Sequence, residues 1–174
     1  NILTTPFNKL KRVYNKKPVV LLTTGGFYPI HDGHINMMEE AKKYLENNGF
    51  SVLGGYFSPC NDVYAKTKPN FYIDKYERIS KCFDRVKNSD WLSIDPWECL
   101  FLNKTVNYTD VIIRLELYLK KHIDENIDIV YVFGGDNCGF MYCFENQGIG
   151  ICVNRNQKSD FDNIRKHINN NNCI

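Results

Sequence analysis

Two histidines three positions apart, His31 and His34, are the residues of this sequence whose spacing points most directly to chemistry. They end the run Gly25-Gly26-Phe27-Tyr28-Pro29-Ile30-His31-Asp32-Gly33-His34. Paired glycines let backbone amides approach an anion closely, and a helix that begins near His34 points the positive end of its dipole at the same place. Two imidazoles can then donate hydrogen bonds to phosphate oxygens, and Gly33 avoids a Cβ between them. The pattern predicts a phosphate-binding turn.

A metal site is the other chemistry that a His-x-x-His pair suggests. No carboxylate or thiol lies at ligand spacing nearby, so we predict no metal ligand here. The run is neither a Walker A loop nor a GxGxxG fingerprint, so neither of those phosphate-binding motifs explains it. Taken alone, the two histidines leave ATP and CTP equally open as the nucleotide.

The segments that must position the turn alternate between strand-like and helix-like patterns. Apolar runs predict strands over residues 19–22, 51–57, 91–94, 127–133 and 149–153. Helical spacing predicts helices over 34–47, after an Asp74 cap supported by Glu77, and after a Thr109 cap. This alternation favours an α/β fold, a parallel sheet with helices on both faces, whose ligands bind at the carboxyl ends of the strands.

Composition limits the class of protein. The length of 174 residues with 43% hydrophobic residues suits one globular domain, which we place at 18–174 after a basic, solvated N-terminal arm at 1–17. A net charge of +2 is too mild to indicate a nucleic-acid partner. No run approaches the ~20 apolar residues of a membrane helix, so we expect no membrane partner. Homo-oligomerisation stays open.

Seven scattered cysteines form no CxxC pair, which is unlike a disulfide framework or a zinc ribbon. We interpret them as reduced and mostly buried thiols. The protein is therefore expected in the cytoplasm or the nucleus.

The turn and the segments after it resemble the HxGH nucleotidyltransferases, and among them the nicotinamide-mononucleotide (NMN) adenylyltransferases of the eukaryotic type. The aminoacyl-tRNA synthetases of the HIGH class share this turn, but this sequence has no segment like their KMSKS motif. The matching segments follow one another in the family's order and at similar spacing, and they cover roughly residues 18–155. These segments are SPCNDVYAK at 58–66, YER at 76–78, SDWLSIDPWE at 89–98, VFGGD at 132–136 and GICVNR at 150–155. The resemblance implies a Rossmann-like nucleotidyltransferase fold.

The resemblance also implies a reaction. The phosphate of NMN, or of nicotinate mononucleotide, attacks the α-phosphate of ATP, which forms NAD or its deamido form and releases pyrophosphate. Catalysis would come from His31, His34 and Lys66 at the phosphates, with Mg²⁺ accompanying ATP and no covalent nucleophile or general base. The loop residues Gly25, Gly26 and Phe27 would bind the nucleotide.

Further residues are placed at the substrates by the same resemblance. Trp97 would stack on the pyridinium ring in a cation–π geometry, and Glu98 would receive the carboxamide or a ribose hydroxyl. Asp136, which follows a predicted strand, would bind ribose hydroxyls, and Gly134 before it would bind the nucleotide. Arg155 would contact adenosine or phosphate.

Two features depart from the family pattern. The segment 137–148 is short, and its rings are Phe140, Tyr142 and Phe144; the family's final ISsTxxR turn is not found after Arg155. We therefore expect a truncated chain, with loss of part of the ATP site as the alternative, and weak or absent turnover if the natural chain also ends at Ile174.

Two alternative functions stay open. One is another HxGH transferase, of the pantetheine-phosphate adenylyltransferase or cytidylyltransferase type, which the segments 61–64 and 95–98 argue against. The other is a non-catalytic nucleotide-binding module, which the retention of His31, His34, Lys66 and Asp136 argues against.

Overall fold

A computed structural model describes residues 4–68, 73–144 and 148–154 of the chain. These residues form five strands, β1 Lys17–Gly25, β2 Phe50–Pro59, β3 Leu92–Ile94, β4 Asp128–Gly134 and β5 Ile149–Val153. They also form helices α1 Asp32–Asn47, α2 Asp62–Ala65, α3 Lys75–Val86, α4 Trp97–Phe101 and α5 Tyr108–His122, and a 3₁₀ segment, Gly135–Phe144. All neighbouring strands pair in parallel, in the order β3-β2-β1-β4-β5. The predicted α/β fold is confirmed.

Alternate residues of β1 face opposite sides of the sheet, as the two-residue period of a strand requires. Val19 and Leu21 belong to the core that α1 and α3 cover, whereas Val20 and Leu22 belong to the core beneath α5 and the 3₁₀ segment. Both faces of the sheet are buried, which explains why the strands are continuous apolar runs. In the part of the chain that the structure describes, no helix has the length and hydrophobicity needed to cross a bilayer.

The order of the strands reverses beside β1. The chain runs outward from β1 to β2 and β3, and then places β4 and β5 on the other side of β1. The loops after β1 and β4 therefore leave the sheet in different directions and open a crevice between them. Gly25 and Gly134 end the two strands at this crevice.

The N-terminal arm packs on the domain, so the expectation that it is solvated is wrong for its central part. Thr5 and Leu10 are buried, and Leu10 belongs to the core on the α5 side of the sheet. The Oγ1 of Thr5 donates to Oδ1 of Asp95 at 2.6 Å. The Nζ of Lys9 donates to the last carbonyl of α3 at 2.7 Å and to the first carbonyl of β3 at 2.8 Å. A basic residue can bury its aliphatic stem and donate hydrogen bonds from its charged group to backbone carbonyls. Composition alone does not reveal such contacts.

The starts of two helices test the capping predictions. Asp74 caps α3 as predicted, because its carboxylate accepts the backbone N–H of Tyr76 at 2.9 Å. Thr109 does not cap α5: the cap is Asn107, whose backbone N–H donates to the carboxylate of Asp110 at 3.2 Å. Asn is at least as good a cap as Thr, and an acidic residue three positions after it completes the reciprocal bond.

Candidate active site

A cleft of about 980 Å³ lies at the carboxyl ends of β1 and β4. This volume is at the upper end of the range for small-molecule sites. Six residues predicted from the sequence line it: Gly25, Gly26, Phe27, His31, His34 and Glu98. The cleft is thus the place where the phosphate-binding turn and part of the predicted substrate site meet.

The side chains of both histidines accept backbone hydrogen bonds at the start of α1. The Nδ1 of His31 accepts the backbone N–H of Gly33 at 3.1 Å, and the Nδ1 of His34 accepts the backbone N–H of His31 at 3.2 Å. A nitrogen that accepts a hydrogen bond carries no proton, so each neutral ring has its N–H on Nε2. The ring centroids are 3.9 Å apart. Two Nε2–H donors therefore stand side by side at the positive end of a 16-residue helix.

Gly33 is required by the position of the His31 ring. A Cβ at position 33 would lie 2.9 Å from Cε1 and 3.0 Å from Nδ1 of His31. Both separations are shorter than a normal carbon contact. The structure thus confirms that a glycine between the histidines leaves room for the ring.

Phe27 has a backbone φ of 48°, in the left-handed region that bulky residues rarely adopt. Its ring packs edge-on against His34 and against Phe57, with centroid distances of 5.3 Å in both cases. A residue in this region costs on the order of 1–3 kcal/mol and persists only when its surroundings hold it there. Packing of Phe27 between the core and His34 therefore fixes the loop that precedes the histidines.

Glu98 is a buried carboxyl group in the cleft. Its Oε1 accepts the backbone N–H of Asn61 at 3.2 Å and the side-chain amide of Asn61 at 3.3 Å. Desolvation raises the pKa of Glu98 to about 7, although the Asn61 backbone bond and the charge of Arg78 oppose the rise. Glu98 is thus fixed in orientation and changes charge near neutral pH.

Arg78 ties the loops after β1 and β2 together from below. Its guanidinium is fully buried and donates to the carboxylate of Asp62 at 2.9 Å. It also donates to the carbonyls of Gly26 at 3.2 Å and Cys60 at 2.8 Å. The sequence indicated Arg78 only as part of the segment at 76–78, yet it anchors the glycine loop after β1.

An aromatic wall formed by Tyr108, Tyr131 and Phe140 lines the side of the cleft next to β4. The sequence pattern indicated only Phe140, as one of the rings of the segment 137–148. The ring of Tyr108 is stacked on Tyr131 at 4.9 Å and is tilted against Phe140 at 4.4 Å. The hydroxyls of Tyr131 and Thr24 are hydrogen-bonded at 2.7 Å, and burial raises the pKa of Tyr131 to about 12. A tyrosine in the apolar run of β4 was the available signal.

Trp97 is not among the residues that line the cleft. Its ring centroid lies 5.2 Å from the guanidinium carbon of Arg114, a cation–π distance. Arg114 is held in turn by Asp95, whose Oδ1 accepts its N–H at 2.9 Å. One face of the indole thus meets a cation of the protein itself, and the stacking of Trp97 on a substrate ring stays a prediction.

The remaining predicted residues lie around the cleft or outside the described part. Lys66 is exposed at the end of α2, two residues before Lys68, which lines the cleft. Gly134 ends β4 and Asp136 is exposed in the 3₁₀ segment, and neither is among the lining residues. Arg155 lies outside the described residues. The roles of these four residues stay predictions.

Within residues 4–68, 73–144 and 148–154, no three His, Cys, Asp or Glu side chains converge where they could hold a metal ion. Mg²⁺ in nucleotide sites is commonly held through the substrate's phosphates, with few protein ligands.

The family follows from a comparison with known proteins. The family model described as cytidylyltransferase-like matches residues 22–159, which is most of the chain. The chain belongs to this family, and its five-stranded parallel sheet is the Rossmann-like α/β fold.

Curated relatives carry a more particular name. A nicotinamide/nicotinic acid mononucleotide adenylyltransferase 2 from Xenopus tropicalis is 45% identical over 85 residues, covering 48% of this chain and 27% of the relative. A nicotinamide/nicotinic acid mononucleotide adenylyltransferase from Arabidopsis thaliana is 34% identical over 125 residues, covering 70% and 51%. One from Oryza sativa subsp. japonica is 40% identical over 81 residues, covering 47% and 31%. The resemblance seen in the sequence is confirmed, and the chain spans about half or less of the length of these relatives.

Proposed function

We propose that the chain is an adenylyltransferase that joins ATP to nicotinamide or nicotinate mononucleotide, with release of pyrophosphate. The observation that carries this proposal is the pair of Nε2–H donors of His31 and His34, beside the glycine loop in the cleft at the strand-order reversal. The names of the relatives support the choice of substrates. The aromatic wall supports it too, because it offers flat apolar surface to a planar ring.

The chemistry needs positioning and charge neutralisation. A phosphate oxygen of the mononucleotide forms a bond to the α-phosphorus of ATP, and the bond to the β-phosphate oxygen breaks, so pyrophosphate leaves with the electron pair. His31, His34 and the positive end of α1 hold the triphosphate in line and stabilise its developing charge. ATP enters as its magnesium complex, which lowers the charge of the phosphates.

Other proposed roles follow the resemblance. We propose Lys66 for the phosphates, with Lys68 as the nearer lysine because it lines the cleft. Trp97 has one face toward Arg114, so a pyridinium ring would stack on its other face. Asp136 is proposed for ribose hydroxyls, Gly134 for binding the nucleotide, and Arg155 for adenosine or phosphate.

The test is product formation by the chain incubated with MgATP and NMN, and separately with nicotinate mononucleotide. We expect NAD and its deamido form, separated by chromatography. Parallel incubations with CTP, and with phosphopantetheine, address the other HxGH activities. Product from one of those arms alone, or bound ATP with no product in any arm, would overturn the proposal.

Replacing His34 with alanine tests the phosphate role. Loss of a preorganised donor is expected to lower kcat by about 10²–10³-fold. The free energy of unfolding should fall by only about 1 kcal/mol, since one capping bond to the His31 backbone is lost. His122→Ala, an exposed histidine at the far end of α5, is the matched control. Near-normal turnover of His34→Ala would show that the phosphate role is wrong.

The compartment that we propose is the cytoplasm or the nucleus, where thiols stay reduced. Seven cysteines without paired spacing support this proposal. Burial raises the pKa of Cys82 and of Cys99 to about 12, which keeps these thiols protonated and unreactive. Imaging of a fluorescent fusion in cells tests the proposal, and a secreted or luminal fusion would contradict it.

A further inference from the structure

Glu98 is the one carboxylate that lines the cleft in the part of the chain that the structure describes. The other lining side chains that can carry charge at neutral pH are His31, His34 and Lys68. The cleft therefore has donors suited to phosphate and a single acid. A carboxylate does not bind a phosphate group, so Glu98 must have another ligand partner in the cleft.

The two oxygens of Glu98 differ in their surroundings. Oε1 accepts both hydrogen bonds from Asn61, at 3.2 and 3.3 Å, which fixes the plane of the carboxyl group. Oε2 accepts no hydrogen bond from any of the described residues. Val106, Tyr108 and Tyr131 also line the cleft, and Tyr131 is near enough for the charge of Glu98 to raise its pKa. A polar substituent on the edge of a flat ring matches a single acceptor among such groups.

We propose that Glu98 sets the preference of the cleft between a carboxamide and a carboxylate on the pyridine ring of the mononucleotide. This inference rests on the proposed function, since it concerns the ring of the same substrate. An ionised Glu98 accepts a hydrogen bond from the carboxamide N–H₂ and repels the carboxylate of nicotinate. A protonated Glu98 donates its O–H to that carboxylate.

The charges around Glu98 come from several elements of the fold. Burial is the largest influence, and it raises the pKa of Glu98 to about 7. The buried cation Arg78 of α3 lowers it, and the buried acid Asp95 after β3 raises it. The neutral titratable groups nearby are Cys60 after β2, Tyr131 in β4 and Cys99 in α4.

The sign of the pH dependence follows from the raised pKa. Below neutral pH Glu98 is protonated and favours the acid mononucleotide; above it Glu98 is ionised and favours the amide. Nicotinate itself stays ionised throughout. Any pH dependence of phosphate binding affects both ligands alike, so it cancels in the ratio of the two dissociation constants.

A ribose hydroxyl is the other partner that a carboxylate in this cleft can take. Both mononucleotides carry the same ribose, so a hydroxyl-binding Glu98 would change both affinities equally. The ratio of affinities therefore separates recognition of the ring substituent from recognition of the ribose.

The experiment is calorimetric titration of the chain with NMN and with nicotinate mononucleotide, which needs no turnover. We expect the ratio Kd(acid)/Kd(amide) to rise at least about tenfold between about pH 6 and about pH 8.5. In Glu98→Gln, Oε1 keeps its bonds to Asn61 and an N–H₂ replaces Oε2, so the ratio becomes independent of pH. At alkaline pH the variant favours the acid at least about tenfold more than the wild type does.

Glu125→Gln is the matched control, because Glu125 is exposed on the turn before β4, at the opposite end of that strand from the cleft. This variant should keep the wild-type ratio at every pH. An unchanged ratio in Glu98→Gln, equal weakening of both ligands, or no binding of either ligand would overturn the inference. A chain with the expected ratio that forms no NAD contradicts only the proposed function, and NAD formation with a ratio independent of pH contradicts only the role of Glu98.

Discussion

Replacing Gly33 with alanine should displace the His31 ring while the fold stays intact. The added Cβ would lie 2.9 Å from Cε1 and 3.0 Å from Nδ1 of His31. Ordinary carbon contacts lie near 3.5–4.0 Å, so the ring must move by about 0.5–1 Å. That movement disturbs the 3.1 Å hydrogen bond from the Gly33 N–H to Nδ1, which fixes the tautomer.

Two opposing effects act on the stability of Gly33→Ala. Removing a glycine from the first turn of α1 stabilises the chain by about 0.5–1 kcal/mol, and weakening the His31 cap costs about 1 kcal/mol. They nearly cancel, so Tm should change by less than about 4 °C. Activity has no such compensation: a misplacement of about 1 Å in a positioning group costs on the order of 10²-fold in rate, or about 2.7 kcal/mol.

The assay measures kcat/KM for MgATP at saturating NMN, with Tm determined on the same preparation. Gly139→Ala is the matched control, since a Cβ there would meet no atom within 4 Å. We expect a fall of 10- to 100-fold for Gly33→Ala, by the same positional argument, and none for the control. A Gly33→Ala variant with wild-type kcat/KM would refute the account of how His31 is placed.

Two further predictions concern the supports of the site. Leu10→Ala should lower the free energy of unfolding by about 2–3 kcal/mol in a denaturant titration, because Leu10 is buried, whereas Val13→Ala, at an 89% exposed position, should have no measurable effect. Arg78→Met should cost about 3–5 kcal/mol in the same measurement, since it leaves the Asp62 carboxylate without its buried partner. Equal free energies of unfolding for the two alanine variants would contradict the packing of Leu10. A wild-type free energy of unfolding for Arg78→Met would contradict the role of the Arg78–Asp62 pair.

The sheet and the position of the turn that carries His31 and His34 could be predicted because their determinants are local. The apolar run of β1, the glycines after it and the helical spacing after His34 each act over a few residues, and the structure has the elements where these patterns place them. The strand-to-helix connection then brings the turn to the carboxyl end of β1, whatever the rest of the chain does. A short-range pattern was sufficient for this part of the site.

Contacts between distant segments could not be predicted in this way. Thr5 meets Asp95, 90 positions away, and Trp97 lies on Arg114 of another helix. The hydrophobic periodicity of the sequence does not predict such long-range pairs. Tyr131 reads as an ordinary core residue of β4 until its stacking on Tyr108 shows that both form a wall of the cleft. Side-chain partners across the fold are decided by packing, which the sequence pattern does not contain.

The decisive measurement is the yield of dinucleotide and pyrophosphate from MgATP and NMN, compared between the wild-type chain and a variant carrying both His31→Ala and His34→Ala. We expect NAD and pyrophosphate in equal amounts from the wild type, and a loss of at least about 10²-fold in the double variant. No dinucleotide from a wild-type chain that binds ATP, or undiminished yield from the double variant, would contradict this expectation.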